Sequence, residues 1–273
     1  MPPDAVPIES PTNPRVKRLV RLRERRARDA EGVALVEGAR EVARALDGGW
    51  PVAVVATCAA LASPEARALA PRLAELGAER WTLSEAAFRK ASVRQHPDGV
   101  LALVVPPRRT LDDLPVRPDA LYLVSDGLEK PGNLGALLRT ADAADVDAVL
   151  VTGAGTDLLN PNVVRASMGS LFARPVLAVA PAAARVALRA RGVQVVATTP
   201  AATLDLWDAD LRGPVAIVVG TEHAGLDPDW LEAADVRVRV PMSGLADSLN
   251  VATTGALLLF EARRQRRARS QKG

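Results

Sequence analysis

Leu121-Tyr122-Leu123-Val124 runs through Ser125 into Asp126-Gly127-Leu128-Glu129-Lys130-Pro131-Gly132-Asn133-Leu134-Gly135-Ala136-Leu137-Leu138-Arg139-Thr140-Ala141. An unbroken apolar run of this length reads as a strand covered on both faces, and the Gly/Pro loop ends it. Asn133 is a good helix cap, so a helix is predicted to start near it. The same pattern of apolar run and connecting segment recurs at Ala148-Val149-Leu150-Val151, Val176-Leu177-Ala178-Val179, Val193 to Ala197 and Val215 to Val219. Val236-Arg237-Val238-Arg239-Val240 alternates instead, which predicts a strand with one wet face or an edge position. Repeated buried strands separated by connecting segments predict an α/β fold with a parallel sheet.

Upstream, the alternation starts earlier in a weaker form. Val16, Leu19, Val20 and Arg23 share a side at helical spacing after the breaker Asn13-Pro14, which predicts one basic amphipathic helix over 15–29. Val33 to Gly38, Val52 to Thr57, a stretch near Trp81 and Gly99 to Val105 read as strands, with helices to Leu46, from Ser63-Pro64-Glu65 and from Ser84. Between the halves, Pro106, Pro107, Pro115 and Pro118 interrupt a stretch with no apolar periodicity. The expected organisation is therefore a smaller N-terminal α/β domain over 1–106, a linker over 107–118 and a second domain over 119–273.

Composition narrows the chemistry. The 273 residues hold one cysteine, Cys58, and two histidines, His96 and His223, which excludes a disulfide framework, a cysteine zinc cluster and a multi-histidine metal site. No uncharged apolar run is long enough to span a bilayer, and the N-terminus lacks a basic start with an apolar stretch, so a cytoplasmic protein is expected. The formal charge is only +3, yet the basic residues gather at the ends: eight between Arg15 and Arg28, and six between Arg263 and Lys272 with no acid among them. Two basic ends suit a polyanion partner, and equally suit solvated helix faces.

Three segments carry the chemistry. On the first, Gly135 leaves room beside Arg139 one turn on, and helix-start amides with an arginine suit a phosphate or a developing oxyanion. The second, Val219-Gly220-Thr221-Glu222-His223-Ala224-Gly225-Leu226, sets two glycines around a carboxylate, which permits close backbone approach to a planar ligand. The third, Val240-Pro241-Met242-Ser243-Gly244-Leu245-Ala246-Asp247-Ser248-Leu249-Asn250-Val251, leads into the apolar helix at 249–267, with Ser248 or Asp247 as its expected cap. Each also has a plain structural reading: a capped helix with a surface arginine, a tight turn, a capped helix start. There is no P-loop, no complete dinucleotide fingerprint and no Gly-x-Ser-x-Gly elbow, and eight aromatic residues argue against a base-stacking platform.

Taken in order, Asn133-x-Gly135-x-x-x-Arg139-Thr140-Ala141, Gly220-x-Glu222-x-x-Gly225-Leu226 and Pro241-Met242 with Ser248-Leu249-Asn250-Val251 resemble the SpoU/TrmH branch of the SPOUT RNA methyltransferases. The likeness spans about residues 118 to 268. Asn13-Pro14-Arg15 and Val36-Glu37-Gly38 further resemble the opening of the ribosomal-protein-like RNA-binding domain that many members carry in front. His223 stands where glycine is common and Ala252 where serine is common.

The resemblance implies a parallel-sheet domain tied in a trefoil knot, a homodimer, and methyl transfer from S-adenosylmethionine to a ribose 2′-hydroxyl, without a metal. The substrate it points to is 23S ribosomal RNA, with transfer RNA the other candidate. It assigns catalysis to Arg139, with Asn133, Glu222, Ser248 and Asn250 orienting it and the ribose. Cofactor contacts fall to Thr199, Gly220, Val240, Met242 and Leu249. A guanidinium is a poor base at neutral pH, so stabilisation of the forming alkoxide suits Arg139 better than proton abstraction. Arg15, Lys17 and Arg18 are expected to meet RNA phosphates. The competing reading is a non-catalytic RNA-binding or ribosome-assembly factor that keeps the fold.

Overall fold

The computed structural model describes residues 6–155, 157–221 and 225–270. In chain order its elements are β1 (Val6–Ile8), α1 (Pro14–Arg21), α2 (Arg25–Glu31), β2 (Ala34–Glu37), α3 (Ala39–Asp47), β3 (Val52–Thr57), α4 (Pro64–Ala74), β4 (Glu79–Leu83), α5 (Glu85–Ala91) and β5 (Val100–Val104). They continue with β6 (Leu121–Asp126), α6 (Pro131–Ala143), β7 (Ala148–Thr152), α7 (Pro161–Ala166), β8 (Val176–Ala178), α8 (Pro181–Ala190) and β9 (Gln194–Thr198). Last come β10 (Leu204–Asp205), β11 (Val215–Val219), α9 (Pro228–Ala233), β12 (Val236–Arg239) and α10 (Val251–Ser270). Helix starts repeat one device, a residue with extended backbone followed by proline. Asn13, Ser63, Asn160 and Asp227 each add a side-chain oxygen that accepts a hydrogen bond from a first-turn amide.

The chain forms two compact units: residues 1–108 together with 159–173, and residues 109–158 together with 174–273. The first holds a mixed five-stranded sheet in the order β1-β4-β3-β5-β2, with β5 antiparallel to both neighbours. Trp81, Phe88, Leu35, Leu101 and Leu103 fill its core beside Val16, Leu19 and Leu22. The single basic helix expected over 15–29 is two helices, α1 and α2. Arg28 is the reason: it folds back into the interior, where its Nη1 donates to the carbonyls of Leu22 (2.9 Å) and Arg23 (2.6 Å) across the break. Residues 159–173, which follow β7 in sequence, pack within this unit. Phe172 meets Trp50 edge to face at 4.9 Å, and Gly169, with φ +85°, lies so close to Arg44 that a Cβ would sit 2.7 Å from its Cγ.

The second unit is a seven-stranded, all-parallel sheet in the order β10-β12-β9-β11-β6-β7-β8. Four of the continuous apolar runs are its buried strands, but the run at Val176 is the short edge strand β8, with only Leu177 buried; the alternating run is β12, next to the two-residue edge strand β10. Trp230, Tyr122, Val124, Leu150 and Val218 lie in its core. Much of the stretch expected as a linker packs here: Leu114 is buried and the Tyr122 hydroxyl donates to the Pro115 carbonyl. Within the basic run on α10, Arg264 and Arg267 are exposed, while other arginines are tied into the fold. Arg263 pairs with Asp145, Arg264 with Glu261 at 2.8 Å, and Arg266 donates to the carbonyls of Asp119, Ala120, Leu211 and Gly213. Burial pulls the Arg266 guanidinium below its ordinary pKa. Among the described residues no helix is long and apolar enough to cross a membrane.

Candidate active site

In an open parallel sheet, ligands collect outside the carboxyl ends of the strands. There, β9 ends in Thr198-Thr199, β11 in Val219-Gly220 and β12 in Arg239-Val240, and these ends share one cleft of about 390 Å³ with Met242, Asp247, Ser248, Leu249 and Thr254. Thr199, Gly220, Val240, Met242 and Leu249, the five positions expected at the cofactor, therefore line a single cavity. The floor is fixed by main-chain bonds. The Thr199 amide donates to Val238 at 2.9 Å, and the Thr198 hydroxyl donates to the Val218 carbonyl at 2.7 Å. Gly220 answers to the protein rather than to a ligand: a Cβ there would lie 2.2 Å from the Gly225 carbonyl oxygen, because Thr221 and Gly225 exchange main-chain hydrogen bonds at 2.9 and 3.1 Å. Any side chain at 220 would force that loop open.

The arrangement suits a nucleoside-sized cationic ligand. Its volume falls in the range of about 300–1,000 Å³ common to small-molecule sites. The cation on its rim, Arg239, is bonded to Asp205 at 2.7 Å, while Asp247 adds an exposed carboxylate. Among the described residues, no cluster of three His, Cys, Asp or Glu side chains is placed to hold a metal ion.

The second half of the site is made where α10 crosses α6. Gly255 permits the approach, since a Cβ there would meet Leu137 Cδ2 at 2.5 Å. The helices then bring two distant asparagines together, and Asn250 Nδ2 donates to Asn133 Oδ1 at 3.2 Å. Both helix starts differ from expectation. α6 begins at Pro131, so Asn133 sits inside the first turn instead of capping it. α10 is capped by Asn250, whose Oδ1 accepts from the Ala252 amide at 3.0 Å, while the Ser248 hydroxyl bonds to Asp247 Oδ1 at 3.2 Å. The polar Asn250 on an apolar helix thus has two structural partners, the helix start through its oxygen and α6 through its amide nitrogen.

Arg139 lies six residues beyond Asn133, about 9 Å along the helix axis. It is exposed, and among the described residues it makes no hydrogen bond or ion pair. Asn133 and Asn250 are brought together; Arg139 and Ser248 are not bonded to them. Glu222, and with it His223, lies outside the described residues. On the first unit, Arg15 is held by Glu79 at 3.0 Å and stacks over Trp81 at 5.6 Å, and Arg18 is held by Glu31 at 2.7 Å, while Lys17 is exposed.

Sequence reasoning missed Asp126. Its buried carboxylate accepts from the Thr152 hydroxyl at 2.7 Å and from the Asp227 amide at 3.4 Å, tying β6, β7 and the start of α9 together. The signal was its place as the last residue of a strand, immediately before the positive-φ Gly127.

Comparison with known proteins agrees with this geometry. The SpoU rRNA Methylase family model matches residues 120–260, and an MRM3-like substrate binding domain matches residues 13–102. The 23S rRNA (uridine(2479)-2′-O)-methyltransferase of Streptomyces viridochromogenes is 34% identical, over 90% of this chain and 87% of its own. The 23S rRNA (guanosine(2553)-2′-O)-methyltransferase of Bacillus subtilis is 32% identical over 94% and 98%. A crystal structure of an AdoMet-bound rRNA methyltransferase from Sinorhizobium meliloti is 33% identical, with a TM-score of 0.87 over 95% of this chain and 98% of that one. Family model, full-length relatives and fold coincide, and the chain belongs to the SpoU/TrmH family of S-adenosylmethionine-dependent RNA 2′-O-ribose methyltransferases.

Proposed function

We propose that this protein methylates a ribose 2′-hydroxyl of 23S ribosomal RNA, with the cleft at the ends of β9, β11 and β12 holding S-adenosylmethionine and Arg139 as the catalytic residue. The observation that carries the cofactor assignment is the convergence of Thr199, Gly220, Val240, Met242 and Leu249 on one cleft at the carboxyl edge of the sheet. Two relatives that align over nine-tenths or more of the chain are named for 23S rRNA, and a third, from Synechocystis, is named only as a tRNA/rRNA methyltransferase; the two specific names favour 23S rRNA. A cytoplasmic location follows from such a substrate.

The cofactor, when bound, supplies a methyl group already activated on a sulfonium. The protein then has to align the ribose and ease charge onto its 2′-oxygen. Arg139, exposed on α6 with its guanidinium uncommitted among the described residues, is suited to stabilise that developing negative charge. Asn133 and Asn250, bonded to each other, fix the geometry at the crossing of α6 and α10 and act as positioning residues, with Ser248 and Glu222 completing the set. Lys17 is the best placed of the three α1 cations to meet RNA, since Arg15 and Arg18 would first have to leave Glu79 and Glu31. The trefoil knot and the homodimer are part of the same reading. Phe260, half exposed on α10, supports a second copy covering that face.

The test is transfer of labelled methyl from S-adenosylmethionine to 23S rRNA, with the modified ribose mapped. Arg139→Ala should lower the rate about 10²–10³-fold while calorimetry shows cofactor affinity unchanged. A wild-type protein that labels no 23S rRNA overturns the substrate, and a fully active Arg139→Ala variant overturns the catalytic assignment.

A further inference from the structure

The cations expected to capture RNA are largely neutralised, and a different group on the first unit is built to do it. Arg40 at the start of α3, Gln95 and His96 in the turn after α5, and Asn162 and Arg165 on α7 line one open cleft of about 700 Å³. All five side chains are exposed, and all can donate hydrogen bonds. Arg165 makes no ion pair among the described residues.

The frame beneath is rigid. The buried Glu37 carboxylate accepts from the Val93 amide at 2.7 Å and from the Ser92 hydroxyl, which pins the turn. Arg94 donates to the Glu37 carbonyl at 2.6 Å and to the buried Glu41 carboxylate at 2.8 Å. Gly38, at φ +110°, makes this possible, because a Cβ there would lie 2.3 Å from both groups. Arg40 contacts the same Glu41 at 3.2 Å, and Asp98 lies 3.8 Å from Arg94. Arg40 and Arg94 thus share the Glu41 carboxylate, with Asp98 near Arg94, while the exposed Arg165 makes no ion pair among the described residues.

We propose that this cleft binds a phosphodiester of the substrate RNA backbone, gripped by Arg40 and Arg165 with Gln95, His96 and Asn162 as further donors. A concave array of donors that includes an arginine with no ion pair among the described residues suits a phosphate oxygen and carries no base-specific demand. The proposal rests on the RNA substrate read above.

The probe is a deproteinised 23S rRNA transcript titrated with the full-length protein at several salt concentrations. Replacing both residues, Arg40→Ala with Arg165→Ala, should weaken binding about tenfold or more and lower the salt slope by about 1, with S-adenosylmethionine affinity unchanged. The pair Arg40→Lys with Arg165→Lys should recover most of the loss, which separates charge from folding. The pair Arg15→Ala with Arg18→Ala should cost less, since those cations are already matched. Equal RNA affinity in the Arg40/Arg165 variant overturns this site while leaving the enzyme reading intact, and an equal or larger loss in the Arg15/Arg18 variant overturns it as well. A wild-type protein that binds no RNA overturns both.

Discussion

The end of α10 and the cleft beside His96 carry the same side chain and use it in opposite ways. On α10, Arg263 and Arg264 face carboxylates and Arg266 is threaded among four main-chain carbonyls. In the cleft, Arg165 stands exposed, and Arg40 shares its one carboxylate with Arg94. A run of arginines in sequence therefore says little about where a polyanion binds. The supply of local acceptors decides whether a guanidinium is a fastener or a hook. Arg139 belongs with the hooks, and Arg15 and Arg18 stand closer to the fasteners.

The comparison breaks most visibly at Arg266. Truncating it to alanine strands several carbonyls that now accept from one planar group, and should lower unfolding free energy by about 3 kcal/mol, read by urea denaturation. Lysine should recover only part of this, because an ammonium cannot span acceptors spread around a plane. An Arg266→Ala protein with the wild-type denaturation midpoint, and reduced RNA affinity instead, would make α10 a hook after all.

A smaller effect on stability, but a selective one on catalysis, is expected at Gly255. Alanine there places a Cβ against Leu137, whose flexible end must give way, at a cost of about 1 kcal/mol. The shift acts on the Asn133–Asn250 bond, so the methylation rate should fall further than the stability does while cofactor affinity holds. A variant whose rate and stability stay in step would reduce the asparagine pair to a helix fastener.

These contrasts also mark how far the sequence could be read. The buried parallel strands were visible because unbroken apolar runs such as Val215 to Val219 have few other uses. The five positions that line the cleft, Thr199, Gly220, Val240, Met242 and Leu249, were legible only through the family resemblance, since three of them are apolar and carry no signal of their own. What stayed hidden depends on partners far away in the chain. Nothing near Arg28 announces that it turns inward to close the break between α1 and α2. Nothing near Asn160 tells that residues 159–173 pack within the first unit, since α7 rests on β2, and Gly169 and Phe172 meet Arg44 and Trp50. Helix starts were misplaced by two residues at both asparagines: Pro131 opens α6 without a side-chain cap, and at α10 Asn250 caps in place of Ser248 or Asp247.

The gentlest test uses proton binding. Burial pulls the Glu31 carboxyl upward, but Arg18 and Arg21 outweigh it and hold the group below the ordinary glutamate value. The stability it contributes is therefore present above that ordinary value and lost as pH falls through the lowered one. Glu37 runs the other way: burial raises it, against the hydrogen bonds from Ser92 and Val93 and the charge of Arg94. Its protonated form is favoured in the folded state, so its contribution fades as pH rises from the ordinary glutamate range through the raised value. Glu31→Gln should accordingly flatten the acid side of the stability profile by about 0.5 kcal/mol, as expected for a partly exposed pair, and leave the neutral side level. If the acid limb is unchanged, Arg18 and Arg21 are not committed to Glu31 in solution, and α1 returns to the hooks.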